Sequence, residues 1–264
     1  MDTVVSTYLN SRNVEAWLGS TQVFNQLTLR LHLGEHTVIV GPNGAGKSSL
    51  IKLITRQIYP VVKPNSWFRL FGQDGINLWE LRRRIGLLSQ DMVDRYNPTI
   101  SVRDVVRSGF FGSIGISCRD QLTNEQDQRV ECLLSTMQMI DLASRCFGQL
   151  SDGQRRRVLL ARAMVYEPDV LILDEPTNAL DIPARHHLLA LLRQLATNGT
   201  TLLLVTHQLE AIIPDFSRAI LIQKGEVYAD GSIGSTLNSE KLSKLFETPL
   251  RVLEANGYLH VVPG

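Results

Sequence analysis

Cysteine is scarce here, three in 264 residues, and Cys118, Cys132 and Cys146 form no CxxC pair and leave an odd one over. That argues against a disulfide framework and fits a reducing compartment. Each is expected as a small buried hydrophobe. Long apolar runs are also lacking: Val170–Leu173 and Thr201–Val205 are far too short to cross a bilayer. The first residues, MDTVVSTYLN, have neither the basic start nor the apolar core of a signal peptide. An excess of one charge is missing as well. The formal net charge is +1, which gives no global pull toward nucleic acid or an anionic membrane. The run Arg82–Arg84 has no aromatic interleaving and reads as a solvated edge before a strand rather than a nucleic-acid patch. His186 and His187 lack partners at metal-ligand spacing and read as surface helix residues. There are no long repeats, linkers or low-complexity tracts. With 44% hydrophobic and 20% charged residues, what remains is an ordinary soluble globular chain, with any membrane role supplied by a partner.

The order of periodic segments is that of an α/β protein. Residues 13–33 alternate apolar and polar in places, as in LTLRLHL, and predict half-buried strands. HTVIV (His36–Val40) is a β-branched run ending in a glycine-rich turn, and Lys47–Ile58 then has apolar residues at helical spacing. Strand, glycine loop and helix make half of a parallel α/β unit. Further strands are expected at Trp67–Phe71 and Ile85–Ser89. From Asp91 to Leu150 the pattern turns helical and more polar, with helices at Thr99–Ser108 and Asn124–Ile140. Gly153–Tyr166 reads as another helix, broken before Pro168. Val170–Glu175 is a continuous apolar run ending in two acids, as buried parallel strands require. A helix at Ala184–Ala196, a buried strand in TTLLLVTH and a terminal β-hairpin in AILIQKGEVYADG complete the reading.

GPNGAGKS (Gly41–Ser48) matches GxxxxGK[ST] in full and lies between a predicted strand and helix, as the phosphate-loop mechanism demands. Gly44 and Gly46 let backbone N–H groups turn toward phosphate oxygens, with Pro42, Asn43 and Ala45 completing the loop. Lys47 supplies a cation for the β- and γ-phosphates, and the Ser48 hydroxyl is the candidate Mg²⁺ ligand, with Ser49 beside it. The helix beginning here adds the positive end of its dipole. LILDE sets Asp174 and Glu175 at the end of a buried strand, where one carboxylate can hold Mg²⁺ and the next polarise an attacking water. In LSDGQRRR (Leu150–Arg157), Ser151 and Gly153 at a helix start present hydroxyl, amide and dipole to an anion.

Together these segments resemble the ATP-binding cassette (ABC) family, whose signature is usually LSGGQ, and the resemblance covers nearly the whole chain. Trp17 falls where the family places an adenine-stacking aromatic, with Tyr8 as an alternative and core packing as the plain reading. Gln90 matches the Q-loop glutamine, linked to Mg²⁺ and to coupling with partners. Asn178–Asp181 (NALD) matches the D-loop, with Asn178 for the usual serine, and His207 matches the switch histidine. The resemblance implies a single cassette domain with a P-loop NTPase core of mostly parallel sheet, an antiparallel β subdomain and a helical subdomain. Residues 1–90 and 168–234 would form the β subdomain and nucleotide-binding core, 91–167 the helical subdomain and 235–264 a tail. It also implies ATP and Mg²⁺ bound in a head-to-tail homodimer. One copy's Lys47 and Ser48 hold ATP while Ser151, Gly153 and Gln154 of the other cover the γ-phosphate, with Asp181 nearby. Glu175 is then the general base, and His207 positions γ-phosphate and water.

Asp152 replaces the first signature glycine, and a carboxylate beside a triphosphate repels it, so Asp152 is expected to point outward or cap the following helix. In Arg155–Arg157, salt bridges are expected rather than ligand contacts. For the physiological task two readings stand. The tail LNSEKLSKLFETPLRV resembles importer ATPases for iron–siderophore, haem or cobalamin, which implies a separate permease and a place on the inner membrane face. LSDGQRRRV is similar to small stand-alone soluble cassettes with a regulatory role. A chromosome-maintenance head is excluded, because no sustained heptads separate phosphate loop and signature.

Overall fold

The computed structural model describes residues 6–117 and 121–264; Cys118 lies outside them. The chain divides into two units, Met1–Leu81 with Thr201–Gly264, and Arg82–Thr200. In the first, β1 (Thr7–Leu18) and β2 (Thr21–His32) pair antiparallel. On β2, Leu27, Leu29 and Leu31 are buried while Thr28 and Arg30 face solvent, the period-two alternation read from LTLRLHL. The four residues of β3 (Thr37–Val40) are all buried. The glycine loop follows, and α1 (Lys47–Ile54) buries Leu50, Ile51, Leu53 and Ile54 along one stripe. β4 (Pro60–Val61) and β5 (Trp67–Leu70) add antiparallel to β1. β5 stops one residue early, because Phe71 takes a left-handed φ of 49° and starts a turn.

α2 (Leu78–Arg84) carries the chain into the second unit. Arg82–Arg84 are therefore the last turn of a helix, where cations suit the negative dipole end, and they lead directly into a strand with Arg82 and Arg83 exposed, the solvated edge before a strand that was expected. Arg84 pairs with Asp169 at 2.7 Å. β6 (Ile85–Ser89) runs parallel to β7 (Val170–Asp174), in register from Ile85↔Val170 to Ser89↔Asp174. Between them come α3 (Asp91–Arg95), α4 (Val102–Phe111), α5 (Asn124–Thr136) and α6 (Asp152–Ala163); α7 (Ile182–Thr197) follows β7. The helix ends differ from the sequence reading for local reasons. α4 starts at Val102 because Ser101 accepts from the Asp104 N–H, and α5 closes at Thr136 before Gln138 turns left-handed (φ 55°). Cys132 is exposed and Cys146 half-buried, so neither is the fully buried hydrophobe expected.

Returning to the first unit, β8 (Thr201–Thr206) and β9 (Arg218–Gln223) flank β3, both parallel to it. β10 (Glu226–Ser232) folds back antiparallel on β9. This hairpin is not the last element. α8 (Ile233–Thr236), α9 (Ser239–Leu245) and a second hairpin of β11 (Leu250–Ala255) and β12 (Tyr258–Pro263) follow. Its turn is Asn256-Gly257, both at positive φ, a strong hairpin signal that the sequence reading passed over. No helix among the described residues is long and apolar enough to cross a membrane.

Candidate functional site

In the first unit, parallel pairing sets the geometry. Val40 is in register with Thr206 of β8, so the residues that follow, Gly41 and the exposed His207, leave the carboxyl ends of adjacent strands, where open α/β sheets bind ligands. A Cβ on Gly41 would sit 2.3 Å from the Ile222 carbonyl oxygen, so only glycine lets the loop begin this close to β9. Gly44 and Gly46 are left-handed at φ 78° and 107°, and Gly46 is the N-cap of α1 without a side-chain cap. No side-chain oxygen therefore caps the start of α1, which presents the positive end of its dipole to an anion. Lys47 is buried, and its ammonium donates to the carbonyls of Gly41 at 2.7 Å and Pro42 at 3.0 Å. It is folded back along the loop as a fixed charge. Ser48 is exposed beside it, Ser49 is buried, and Asn43 and Gly44 are exposed at the tip.

Of the two aromatic candidates on β1, Tyr8 is fully buried. Burial drives its phenol pKa well up, and its hydroxyl has no hydrogen-bond partner among the described residues. It is core, not a stacking surface. Trp17 is 42% exposed, which rules out core packing. Its indole N–H donates to Glu15 Oε1 at 2.6 Å, and the same carboxylate pairs with Lys63.

In the second unit, the Ser89↔Asp174 register makes Gln90 and Glu175 successors on neighbouring strands. Asn178 Nδ2 donates to Gln90 Oε1 at 3.0 Å. Glu175 has a left-handed φ of 48°, and so has Ala179 at 62°. Asp181 caps α7, accepting from the Ala184 N–H at 2.8 Å, with Pro183 in the first turn. The signature segment begins α6 with a capping box: Ser151 Oγ accepts from the Gln154 N–H at 3.3 Å and Gln154 Oε1 accepts from the Ser151 N–H at 3.0 Å. The S-x-x-Q spacing could have revealed this. Gly153 stands where an added Cβ would lie 2.6 Å from Ala184 Cβ, so the starts of α6 and α7 meet there.

Ser151, not Asp152, is therefore the cap. Asp152 has a side chain 63% exposed and lies 3.4 Å from Arg155, which agrees with the outward half of the expectation. The three following arginines differ. Arg155 also donates to the Gly148 carbonyl at 2.9 Å, and Arg157 donates to that of Met137 at 3.2 Å. Arg156 is buried, and its Nη1 has no partner among the described residues. Burial lowers its pKa, against the opposing pull of Asp152, Asp174 and Asp94. Among the described residues Arg156 forms no salt bridge of the kind expected for the run of three arginines. Arg156 lines a cleft of ≈ 140 Å³ with Gln90, Asp94, Asp152 and Asn178. On α7, His186 is exposed and His187 half-buried, its pKa lowered by burial and by Arg157.

Residues 24–178 match the family model described as ABC transporter. The chain is 35% identical over 224 residues to the ABC transporter ATP-binding protein YlmA of Bacillus subtilis, covering 83% of each. It is 30% identical over 248 residues to the hemin import ATP-binding protein HmuV of Aliivibrio fischeri, covering 91% of each. Among solved structures, an inward-facing putative metal-chelate type ABC transporter chain superposes with a TM-score of 0.78 at 27% identity, over 98% of both chains.

Proposed function

The chain belongs to the ABC transporter family, as an ATP-binding subunit with the P-loop NTPase fold, and on that premise we propose which of its residues bind and turn over ATP. The observation that carries the reading is the loop Gly41–Ser48, with α1 uncapped by any side chain and Lys47 fixed along it. These groups fit a triphosphate: several aligned N–H donors, a helix dipole and a buried cation face one anion. Ser48, Gln90 and Asp174 offer hydroxyl, amide and carboxylate oxygens, the hard donors that Mg²⁺ prefers. Held there, Mg²⁺ would supply positive charge that neutralises the triphosphate. Glu175 draws a proton from the attacking water, and His207 holds that water and the γ-phosphate in line. Ser151, Gly153 and Gln154 present the start of α6 to the nucleotide held by a second copy, and Asp181 holds the adjoining loop through its cap on α7. Closing the pair excludes water and makes nucleotide binding a mechanical switch.

The work so powered is transport, through a separate permease that brings this subunit to the inner face of the membrane. A metal ion or metal chelate is the cargo class that the hemin-import and cobalt-import relatives support. The test is the Glu175→Gln chain, purified with ATP and gentle detergent from its native cells. Retained ATP binding, a stabilised dimer and turnover slowed at least about a hundredfold, with co-purification of a polytopic membrane protein, are expected. Unchanged turnover would remove Glu175 from its role, and recovery without any membrane protein would remove the permease.

A further inference from the structure

The loop from Glu175 to Asp181 connects two fixed points, the end of β7 at Asp174 and the capped start of α7. Within it Glu175 and Ala179 hold left-handed backbones, a conformation that is costly for a residue with a Cβ and persists only where surroundings enforce it. Two backbone bonds do part of that work, from Asn178 N–H to Glu175 O and from Leu180 N–H to Thr177 O, both at 3.2 Å. A side-chain tether acts alongside them: Asn178 Nδ2 to Gln90 Oε1. Gln90 begins the segment that follows β6, the strand paired with β7. Both partners of the tether line the ≈ 140 Å³ cleft, with Ala179 and the buried Arg156. A group that enters this cleft meets Gln90 and Asn178 together.

We propose that Asn178 is a positioning residue that ties Gln90 to the loop carrying Glu175 and so holds that loop in its left-handed conformation. This deepens the ATPase reading and rests on it. The chemistry is particular to asparagine. Its amide nitrogen lies one bond farther from the backbone than the hydroxyl of serine, so a serine at 178 leaves Gln90 Oε1 out of reach. Aspartate keeps the link, because the Gln90 amide can turn over and donate to the carboxylate.

The experiment is a double-mutant cycle of Gln90→Ala and Asn178→Ala in the full chain, read by kcat. Alongside it, hydrogen exchange of residues 175–181 is followed without nucleotide. The two substitutions should be non-additive in kcat by about threefold or more. Exchange in residues 175–181 should rise in Gln90→Ala as it does in Asn178→Ser, and return toward the parent level in Asn178→Asp. Additive effects on kcat, or exchange indifferent to Gln90, would overturn the proposal. If the parent chain hydrolyses no ATP, the functional reading fails, while the exchange arm still decides the tether.

Discussion

The Glu15 carboxylate is shared between the indole N–H of Trp17, at 2.6 Å, and the ammonium of Lys63. A large aromatic left 42% exposed with its one polar atom satisfied offers ring surface for stacking and has its orientation held. Base–aromatic stacking is worth about 1–3 kcal/mol. Trp17→Ala should therefore weaken ATP binding about tenfold or more and leave tripolyphosphate binding unchanged. Glu15→Ala should follow in the same direction with a smaller effect, and Glu15→Gln smaller still. Calorimetric titration with the two ligands checks this. Equal loss for both ligands would mean that Trp17 supports the loop and not the base.

Gly153 and Ala184 should be exchangeable as a pair. An added Cβ on Gly153 meets Ala184 Cβ at 2.6 Å, an overlap that costs about 1–3 kcal/mol. Gly153→Ala should lower the urea midpoint, and Ala184→Gly added to it should restore most of the loss, less the helix propensity given up. A double variant no more stable than Gly153→Ala would show that the contact is not what fixes the two helix starts.

Asp152 should matter little to turnover. Its carboxylate is largely exposed and turned to Arg155, in the first turn of α6, where a negative charge is favourable by about 0.3–1 kcal/mol. Asp152→Gly should cost that much stability and change kcat by less than about tenfold. A larger change in kcat would place the carboxylate at the phosphates.

Acid should destabilise the first unit through His36. Its Nδ1 accepts from the Leu202 N–H at 3.1 Å, which only a ring nitrogen without a proton can do. Burial lowers its pKa, opposed by Asp215. A depressed histidine pKa means that the unfolded chain binds the proton first. Stability is therefore full above the unfolded value of about 6.5 and declines as pH falls from there through the folded value. Urea unfolding at pH 7.5 and 5.5 measures the slope, and His36→Gln should flatten it.

Much of the site was legible in the sequence because its motifs are local. Gly41–Ser48 needs only a strand before it and a helix after it; both form there, although the helix ends at Ile54, short of the Ile58 expected, where Arg56 turns left-handed (φ 58°). Asp174 and Glu175 end a run of buried residues, and the cap of α6 is spelled in four consecutive residues, Ser151–Gln154. Helix ends were less legible, since Ser101 and Thr123 decide them by side-chain bonds to N–H groups three residues on. The second hairpin is written locally too, in Asn256-Gly257.

What local sequence determined, then, is which segments bind phosphate, which are strands and which begin helices, because backbone preference and side-chain spacing act over a few residues. Only tertiary structure decided that Tyr8 is core while Trp17 is exposed, since both lie on one strand and burial depends on what packs over each end. Only tertiary structure brought Gln90 to Asn178 and buried the middle arginine of three. Those contacts rest on parallel pairing of β6 with β7 and on the close approach of helix starts, and no spacing along the chain encodes either.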